Sequence, residues 1–404
     1  MAAVSAARRA AYETLLRVFE QDAYADRAFR TAAKDLDERD RAFAQRLAYG
    51  SVQRVRTLDH AIEALGKRPV RKLDPPVRAA LRLGAYQLGY TDTAPHAAAN
   101  ESVELVRRAR LERAVPFTNA VMRRLAAGIR GLLDALPEGA LKESYPDWIH
   151  ETFVRDLGAS AATELERSMN EPLETVVRLV RGDPPAGAEP TDVRDAYRVA
   201  RVDDLAVAEG RIWPQSRGSQ VAGLAVAARD GERILDLCAA PGGKTAQLRG
   251  EVTAVEIDHG RASELRANLV TLRHKAAVVE ADGTDLPPAL TGFDRVLLDA
   301  PCSGLGVLAQ RPDLRWRATP LPELQLQLLR AAAERTRPGG TIVYSVCTLN
   351  ADENEAVVDA SGLTIDDSLA AEWPQFVHPR RPEFLLTLPH VHGTSGFFIS
   401  RLRT

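Results

Sequence analysis

The chain has 404 residues, which is too long for one ordinary core because single domains cluster at ~100–150 residues, so two or three domains are expected. Hydrophobic residues make up 45% and charged residues 27%, a globular composition that excludes collagen-like, disordered and disulfide-scaffold proteins. The 53 Lys and Arg nearly balance the 55 Asp and Glu, so net charge alone indicates no polyanionic partner.

Membrane, disulfide and metal-binding classes have no support in the sequence. No run of ~18 apolar residues could span a membrane, and the N-terminus lacks the apolar segment of a secretion signal, so a cytoplasmic protein is expected. Cys238, Cys302 and Cys347 are odd in number and far apart, which argues against a disulfide framework or a CxxC zinc site. No further ligand cluster accompanies His390 and His392, so we expect them in a loop and predict no metal.

The N-terminal third has a helical pattern. Apolar residues recur every three or four positions over Ala6–Ala127, as in amphipathic helices. Pro75 and Pro95 punctuate this pattern, because proline removes a backbone donor and disfavours helix in the residue before it. We predict an all-helical domain over residues 1–131, ending near Gly128–Gly131.

Basic residues are concentrated in this helical region. Residues 1–130 contain 24 Lys and Arg against 15 Asp and Glu, whereas the remaining residues carry a deficit of basic charge. The surplus would suit contacts with nucleic-acid phosphates. Solvated helix faces would produce the same excess, so both interpretations stay open.

A small α/β connector is predicted over residues 132–215. It contains a helical pattern over residues 146–158, a strand candidate at Thr175–Val180 and a stretch rich in proline and glycine at Gly182–Pro190.

From residue 216 to residue 404 the pattern predicts a Rossmann-like α/β domain. Short β-rich runs (RILDLC, VTAVEI, AAVVEA, DRVLLDA and TIVYSVC) alternate with helical segments such as RASELRANLVTLR and LPELQLQLLRAAAERT. Such alternation is typical of a parallel sheet covered by helices, whose ligands bind beyond the carboxyl ends of the strands. All three cysteines fall at predicted strand ends.

The first of these strands runs into a turn of small residues, LDLCAAPGGKT, which would let the backbone approach a ligand closely. Glu256 ends the next strand, where a carboxylate can accept both hydroxyls of a ribose, so a nucleoside cofactor is predicted. A phosphate-binding P-loop is excluded because Cys238 stands where its first glycine is required. A nicotinamide dehydrogenase fits less well, because its fingerprint has a different glycine spacing.

Two further strands end in a thiol, one after Asp299 at Cys302 and the other at Cys347. Buried cysteines usually act as small hydrophobic residues, but two thiols and a carboxylate at one sheet edge favour nucleophilic catalysis. Asp299 could then hold the edge of a substrate base and stabilise charge on it. A cysteine hydrolase fits poorly, because no histidine partner can be identified.

The motifs LDLCAAPGGKT, LLDAPCSGLG, YSVCTLNADEN and HGTSGFFIS resemble, in order and spacing, those of the RsmB/NOP/NSUN family of RNA 5-methylcytosine methyltransferases. The resemblance covers roughly residues 210–404 and implies a class I methyltransferase domain that uses S-adenosylmethionine. It implies that Cys347 attacks carbon 6 of cytosine and that Cys302 assists release; with Asp299, from the chemical argument above, they form the predicted catalytic group. The residues implied to line the cofactor site are Cys238, Ala239, Ala240, Pro241, Gly242, Gly243, Lys244, Glu256, Arg261, Asp282 and Asp299.

The N-terminal segments ALRLGAYQLGYTDTAPHAAANESVELVRR and PFTNAVMRRL are similar to NusB-type RNA-binding domains. Fusion of such a domain to this kind of methyltransferase implies RNA as partner and 16S rRNA as substrate. We also expect a monomer. The same chemistry on tRNA stays an alternative, as does a non-catalytic ribosome-assembly or antitermination factor. The intact cysteines argue against that last alternative, because a pure binding protein does not need them.

The sequence departs from the family pattern at three places. Glu256 replaces the usual Asp, which keeps a carboxylate for the ribose but lengthens its reach. Ser395 replaces the Asp that usually precedes Gly-Phe-Phe, which puts the role of that acid in doubt. Ten residues separate Thr245 from Glu256, so any helix after the cofactor loop must be short.

Overall fold

Helix starts in the N-terminal region are set by proline and by short polar caps. In the computed structural model, which describes residues 4–404, Pro75 and Pro95 each occupy the first turn of a helix, where a missing N–H costs nothing. Asp37 caps another helix by accepting a hydrogen bond from the Asp40 N–H at 2.8 Å. The helices of this region are α1 (Ala6–Glu20), α2 (Ala25–Ala32), α3 (Glu38–Gln53), α4 (Val55–Gly66), α5 (Pro75–Tyr90), α6 (Pro95–Arg108), α7 (Val115–Asp134), α8 (Ala140–Glu143), α9 (Asp147–Leu157) and α10 (Ala159–Ser168), with short 3-10 turns at Val70–Lys72 and Glu112–Ala114.

The predicted all-helical character of this region is confirmed. The end of the domain near Gly128–Gly131 stays a prediction. Gly128 and Gly131 lie inside α7, which continues to Asp134. A glycine weakens a helix without ending it unless a left-handed residue and a cap follow. An added Cβ at Gly128 would lie 3.6 Å from the nearest Leu65 carbon, which is ordinary van der Waals contact, so the helix packs here without requiring glycine.

The first of two compact units comprises the residues up to Glu171 together with a distant segment, Leu308–Arg317. Arg315 of that segment is fully buried and lies 3.9 Å from the centre of the Tyr145 ring. Its guanidinium donates to Asn170 Oδ1 at 2.7 Å and to the Met169 carbonyl at 3.0 Å. These bonds and the stacked ring offset the cost of burying the charge.

The second unit comprises Pro172–Val307 and Ala318–Thr404. It begins with a small antiparallel sheet in the order β2-β3-β1-β4, which contains the predicted strand at Thr175–Val180. The elements of this part are β1 (Val176–Leu179), β2 (Glu189–Pro190), β3 (Ala196–Arg198), α11 (Asp204–Ala208) and β4 (Ile212–Pro214).

The larger sheet has the order β10-β12-β9-β8-β5-β6-β7, with β11 also paired to β12. All five strands predicted from the sequence are present. The elements of this part are α12 (Arg217–Ala225), β5 (Arg233–Leu237), β6 (Glu251–Glu256), α13 (His259–Thr271), β7 (Ala277–Glu280), β8 (Phe293–Asp299), α14 (Leu314–Arg317, in the first unit), α15 (Pro322–Arg335), β9 (Thr336–Val346), α16 (Glu355–Ser361), β10 (Thr364–Ile365), α17 (Ser368–Glu372), β11 (Leu385–Thr387), α18 (Pro389–His392) and β12 (Phe397–Arg403), with 3-10 turns at Thr245–Gln247 and Pro374–Phe376.

The sheet is mixed rather than wholly parallel. Strands β5 to β9 pair in parallel, but β12 runs antiparallel to β9, because the chain returns through α18 and re-enters the sheet from the opposite end. The chain order reverses between β5 and β8, and ligands of such sheets bind at the carboxyl ends beside this point. The expected short helix after the cofactor loop is confirmed as the three-residue turn Thr245–Gln247.

Three further expectations meet different outcomes. His390 and His392 lie in the short helix α18 and not in a loop; His392 Nδ1 accepts the Leu388 N–H at 2.8 Å, which fixes the turn. No helix within residues 4–404 has the length and apolar character needed to cross a membrane. The domain boundaries at residues 131 and 215 stay predictions, because the two units do not test where functional domains begin.

Candidate active site

The loop after β5 is shaped by glycines with no room for a side chain. Gly242 has φ +102°, and an added Cβ would lie 2.7 Å from Leu265 Cδ1. An added Cβ on Gly243 would lie 2.7 Å from Trp213 Nε1. Thr245 Oγ1 donates to Asp236 Oδ2 at 2.6 Å, which ties the end of the loop back to β5. The backbone of this turn is therefore held at the edge of the sheet.

Arg178, on β1 of the small sheet, supports the same loop from behind. Its Nη2 donates to the Gly243 carbonyl at 3.1 Å, and its Nε donates to Gln215 Oε1 at 3.0 Å. Burial lowers the pKa of the guanidinium to about 10. Sequence reasoning missed Arg178, although a charged residue inside an apolar strand signals a specific partner.

Glu256 ends β6 as a buried carboxylate with one oxygen in use. Its Oε1 accepts the Asp258 N–H at 3.1 Å. Its Oε2 is shielded from solvent and has no hydrogen-bond partner among residues 4–404, with Arg261 Nη2 at 3.7 Å. A buried acceptor without a donor is costly, and a ribose hydroxyl would supply the donor. The residue therefore fits the nucleoside cofactor predicted from the sequence.

Two other predicted cofactor residues, Arg261 and Asp282, differ in how they connect to the cofactor loop and Glu256. Arg261 donates to the Ala240 carbonyl at 2.9 Å, which joins α13 to the cofactor loop. Asp282 lies two residues after β7 and is exposed, and its Oδ1 accepts bonds from the N–H and hydroxyl of Thr284. These two bonds lower the pKa of the Asp282 carboxyl. No hydrogen bond or ion pair joins Asp282 to the other predicted site residues in the described part of the chain.

Lys244 and Asp299 form an ion pair at the centre of the sheet edge. Lys244 Nζ lies 2.7 Å from Asp299 Oδ2, and Ser345 Oγ donates to Asp299 Oδ1 at 2.8 Å. The same ammonium lies 5.1 Å from the centre of the Phe397 ring, in the C-terminal motif. The loop after β5 and the ends of β8 and β9 thus meet at one carboxylate.

The sulfur atoms of Cys302 and Cys347 are 3.5 Å apart, as the strand-end positions predict. The hydrogen bond between the two sulfur atoms lowers the pKa of Cys347. The same bond raises the pKa of Cys302 well above its usual value, and burial raises it further. Cys238 differs, because burial raises its pKa to about 12 and keeps it an inert thiol.

The loop that carries Cys302 is also fixed by the C-terminal motif. The Gly306 N–H donates to the Cys347 carbonyl at 3.0 Å, and the Gly396 N–H donates to the Gly306 carbonyl at 2.8 Å. An added Cβ on Gly306 would collide with the Gly396 carbonyl. The two glycines therefore let the loop pass close to the segment before β12, which explains their place in both motifs.

The sequence of this site has known relatives. A family model described as 16S rRNA methyltransferase RsmB/F matches residues 223–403, and the NusB family model matches residues 5–127. A Synechocystis sp. protein named probable ribosomal RNA small subunit methyltransferase B is 34% identical, over 98% of this chain and 99% of that protein. The chain belongs to the RsmB/F methyltransferase family.

Solved structures share the fold of this RsmB/F family member. The structure of PH0851 matches it with a TM-score of 0.79 at 23% identity, over 100% of both chains. NSun6 from Pyrococcus horikoshii matches with a TM-score of 0.57 at 21% identity, over 65% of this chain and 98% of that one.

Family membership makes the protein an S-adenosylmethionine-dependent rRNA methyltransferase of the RsmB/NSUN type. The predicted fold class, with a NusB-type helical domain and a Rossmann-like methyltransferase domain, is confirmed. The predicted cofactor agrees with the unpartnered Oε2 of Glu256.

Proposed function

We propose that this methyltransferase methylates carbon 5 of a cytosine in 16S rRNA through a covalent bond between Cys347 and carbon 6 of the base. The observation that carries this proposal is the pair of thiols 3.5 Å apart beside the Lys244–Asp299 ion pair, at the carboxyl ends of β8 and β9. A methyltransferase that acts on an oxygen or an exocyclic nitrogen needs no pair of thiols.

Carbon 5 of cytosine is too weak a nucleophile to accept a methyl group directly. In the proposed reaction the Cys347 thiolate adds its electron pair to carbon 6, and the carbon 5–carbon 6 π pair moves toward carbon 5. Lys244 and Asp299 lie where they can hold the polar edge of the base and stabilise the charge that develops on it. S-adenosylmethionine, held by the cofactor loop and Glu256, supplies the methyl group.

Release requires loss of the proton from carbon 5 and cleavage of the bond between carbon 6 and sulfur. We assign the assisting role to Cys302. In the free enzyme its proton is held by the hydrogen bond to Cys347, and that acceptor is lost once the Cys347 sulfur is bonded to carbon 6. Cys302 then releases its proton to solvent more easily, and its thiolate takes the proton from carbon 5. The electron pair of the carbon 5–hydrogen bond re-forms the carbon 5–carbon 6 double bond, and the bond between carbon 6 and sulfur breaks to return Cys347 as a thiolate.

Binding of rRNA is assigned to the proposed helical domain, residues 1–131, with residues 132–215 as connector and 216–404 as methyltransferase domain. An exposed basic patch between α4 and α5 consists of Lys67, Arg68, Arg71 and Lys72. Four adjacent cations suit the phosphate backbone. We further propose that the protein acts as a monomer in the cytoplasm.

Bisulfite sequencing of ribosomal and transfer RNA, with and without the gene, tests the substrate. The proposal expects one cytosine of 16S rRNA to lose its methyl group when the gene is deleted and to regain it on complementation. Loss of a methyl group from tRNA alone would assign the same chemistry to tRNA. Unchanged modification in both RNAs would contradict cytosine-C5 methylation.

A further inference from the structure

A buried carboxylate lies behind the two cysteines and takes no part in the steps described so far. Glu353 is 0% exposed and precedes α16. It belongs neither to the cofactor loop nor to the Lys244–Asp299 pair. Because burial of a charge is costly unless several donors compensate it, the partners of Glu353 indicate what it does.

One carboxylate oxygen of Glu353 accepts hydrogen bonds from the segment that follows Cys302. Oε1 accepts the Ser303 N–H at 2.9 Å, the Leu321 N–H at 3.1 Å and the Gln325 Nε2 at 3.0 Å. The amide of Gln325 also donates to the Pro301 carbonyl at 2.9 Å. The residues on both sides of Cys302 are therefore anchored to the same acid and its amide partner.

The second oxygen joins that loop to the one that carries Cys347. Oε2 accepts a short hydrogen bond from Ser303 Oγ and a longer one from Thr348 Oγ1 at 3.3 Å. The two hydroxyl oxygens lie 2.8 Å from each other. Since Ser303 follows Cys302 and Thr348 follows Cys347, one carboxylate connects the residues directly after both cysteines.

The charges around the two thiols are unequal. The hydrogen bond to Cys347 and burial raise the pKa of Cys302, and the negative charge of Glu353 raises it further. At Cys347 the hydrogen bond between the two sulfur atoms lowers the pKa, burial and the charge of Asp299 raise it, and Lys244 lowers it; the net direction is downward. The charge of Glu353 thus acts on Cys302, the cysteine that stays protonated.

We propose that Glu353 is a positioning residue that fixes the separation of Cys302 and Cys347 and leaves the shared proton on Cys302. It acts through Ser303 and Thr348, and it contacts neither sulfur atom by hydrogen bond. The inference rests on the proposed function, in which Cys347 attacks as a thiolate. It adds a reason why the thiolate forms at Cys347 and not at its neighbour.

Glu353→Gln is the sharpest test, because the amide keeps an acceptor for the two backbone N–H groups and removes the charge. Its NH2 group can donate to the hydroxyl oxygens of Ser303 and Thr348. The free enzyme, without RNA, is treated with iodoacetamide at a series of pH values, and labelling of each cysteine is quantified by peptide mass spectrometry. In the wild type we expect labelling at Cys347 to exceed that at Cys302. In Glu353→Gln this ratio should fall severalfold, because a thiolate at Cys302 no longer faces a negative charge.

Glu355→Gln is the matched control, because Glu355 is also buried but pairs with His378 at 2.7 Å, away from both cysteines. Its labelling ratio should equal that of the wild type. An unchanged ratio in a folded Glu353→Gln protein, judged by its melting temperature and S-adenosylmethionine affinity, would overturn the proposal. Since the assay contains no RNA, this result does not depend on whether cytosine is the substrate.

Ser303→Ala covers the case in which Glu353→Gln does not fold. It removes the hydroxyl link and leaves the carboxylate charge in place. The proposal expects this variant to keep the preference for Cys347 while methylation slows, because the charge persists and the spacing relaxes. Loss of the preference would show that the charge of Glu353 does not assign the proton, and it would also overturn the proposal.

Discussion

The active site contains two buried glutamates, Glu256 at the cofactor loop and Glu353 behind the two cysteines. Both oxygens of Glu353 accept hydrogen bonds from the protein, whereas Glu256 leaves Oε2 without a donor among residues 4–404. A saturated carboxylate organises the residues around it before any ligand arrives, and an unsaturated one gains its missing bond from the ligand. The cysteine half is therefore pre-organised, while the cofactor half is completed by binding.

The largest effect is expected at the cysteines. Cys347→Ser should lower methylation by about four orders of magnitude or more, because a serine hydroxyl is far less nucleophilic than a thiolate at neutral pH. Cys302→Ser should still attack and methylate but release slowly, so that a protein–RNA complex survives denaturing electrophoresis. Trapping by Cys347→Ser and none by Cys302→Ser would reverse the assignment of the nucleophile.

Asp236 should give the protein a pH-dependent stability. Burial raises the pKa of this carboxyl from its ordinary value of 3.8 to about 7. Between these values the folded protein holds a proton that the unfolded chain has released, so stability falls as pH rises, by about 4 kcal/mol in total. The free energy of unfolding, measured with urea at a series of pH values between 4 and 8, should therefore fall less steeply with pH in Asp236→Asn than in the wild type. Identical slopes for the two proteins would mean that Asp236 is ionised in the folded state.

Glu256→Gln tests the cofactor side of the site, because the substitution keeps the shape of the side chain and removes its charge. Calorimetry should show weaker S-adenosylmethionine binding by about 1–3 kcal/mol, the cost of a lost charge-assisted hydrogen-bond pair. Glu251→Gln is the control, because Glu251 is the exposed residue at the other end of β6. Equal affinities for both variants and the wild type would remove Glu256 from the cofactor site.

The smallest effect per substituted residue is expected for RNA binding by the basic patch between α4 and α5, which is far in sequence from Glu256 and Glu353. Changing Lys67, Arg71 and Lys72 to alanine should weaken rRNA binding and reduce the slope of log affinity against log salt by up to about one per lost phosphate contact. Cofactor affinity should not change. Lys34→Ala with Arg39→Ala is the control, because these two cations lie beside four acidic residues, Asp35, Asp37, Glu38 and Asp40. An unchanged salt slope would place the RNA elsewhere.

Sequence periodicity was sufficient for elements whose cause is local. The strands that end at Leu237, Asp299 and Val346 were predicted, because apolar β-branched runs followed by small or polar residues favour a buried strand and a turn. The approach of Cys302 to Cys347 followed from the rule that parallel strands align their carboxyl ends. The end of α7 at Asp134 has no such local cause, because packing against neighbouring helices lets a helix continue through glycines such as Gly128.

Contacts between distant parts of the chain could not be predicted in this way. Arg178 reaches the Gly243 carbonyl from another sheet, and Arg315 is buried in a unit that its sequence position does not indicate. Glu353 stands inside a recognised motif, but nothing local shows that it faces Ser303 fifty positions earlier. A charged residue among apolar neighbours was the available signal only for Arg178, because Arg315 and Glu353 have charged or polar residues close by in the sequence. The partner of each residue depended on the tertiary fold.

The central claim is that the Cys347 sulfur bonds to carbon 6 of a cytosine in 16S rRNA. An rRNA fragment with 5-fluorocytosine at the target position tests it most directly, because fluorine cannot leave carbon 5 as the proton does and the adduct persists. After incubation with S-adenosylmethionine and digestion, peptide mass spectrometry should find the modified nucleotide on the peptide that contains Cys347. A nucleotide on the Cys302 peptide, or no covalent complex under conditions that methylate unmodified RNA, would contradict the account.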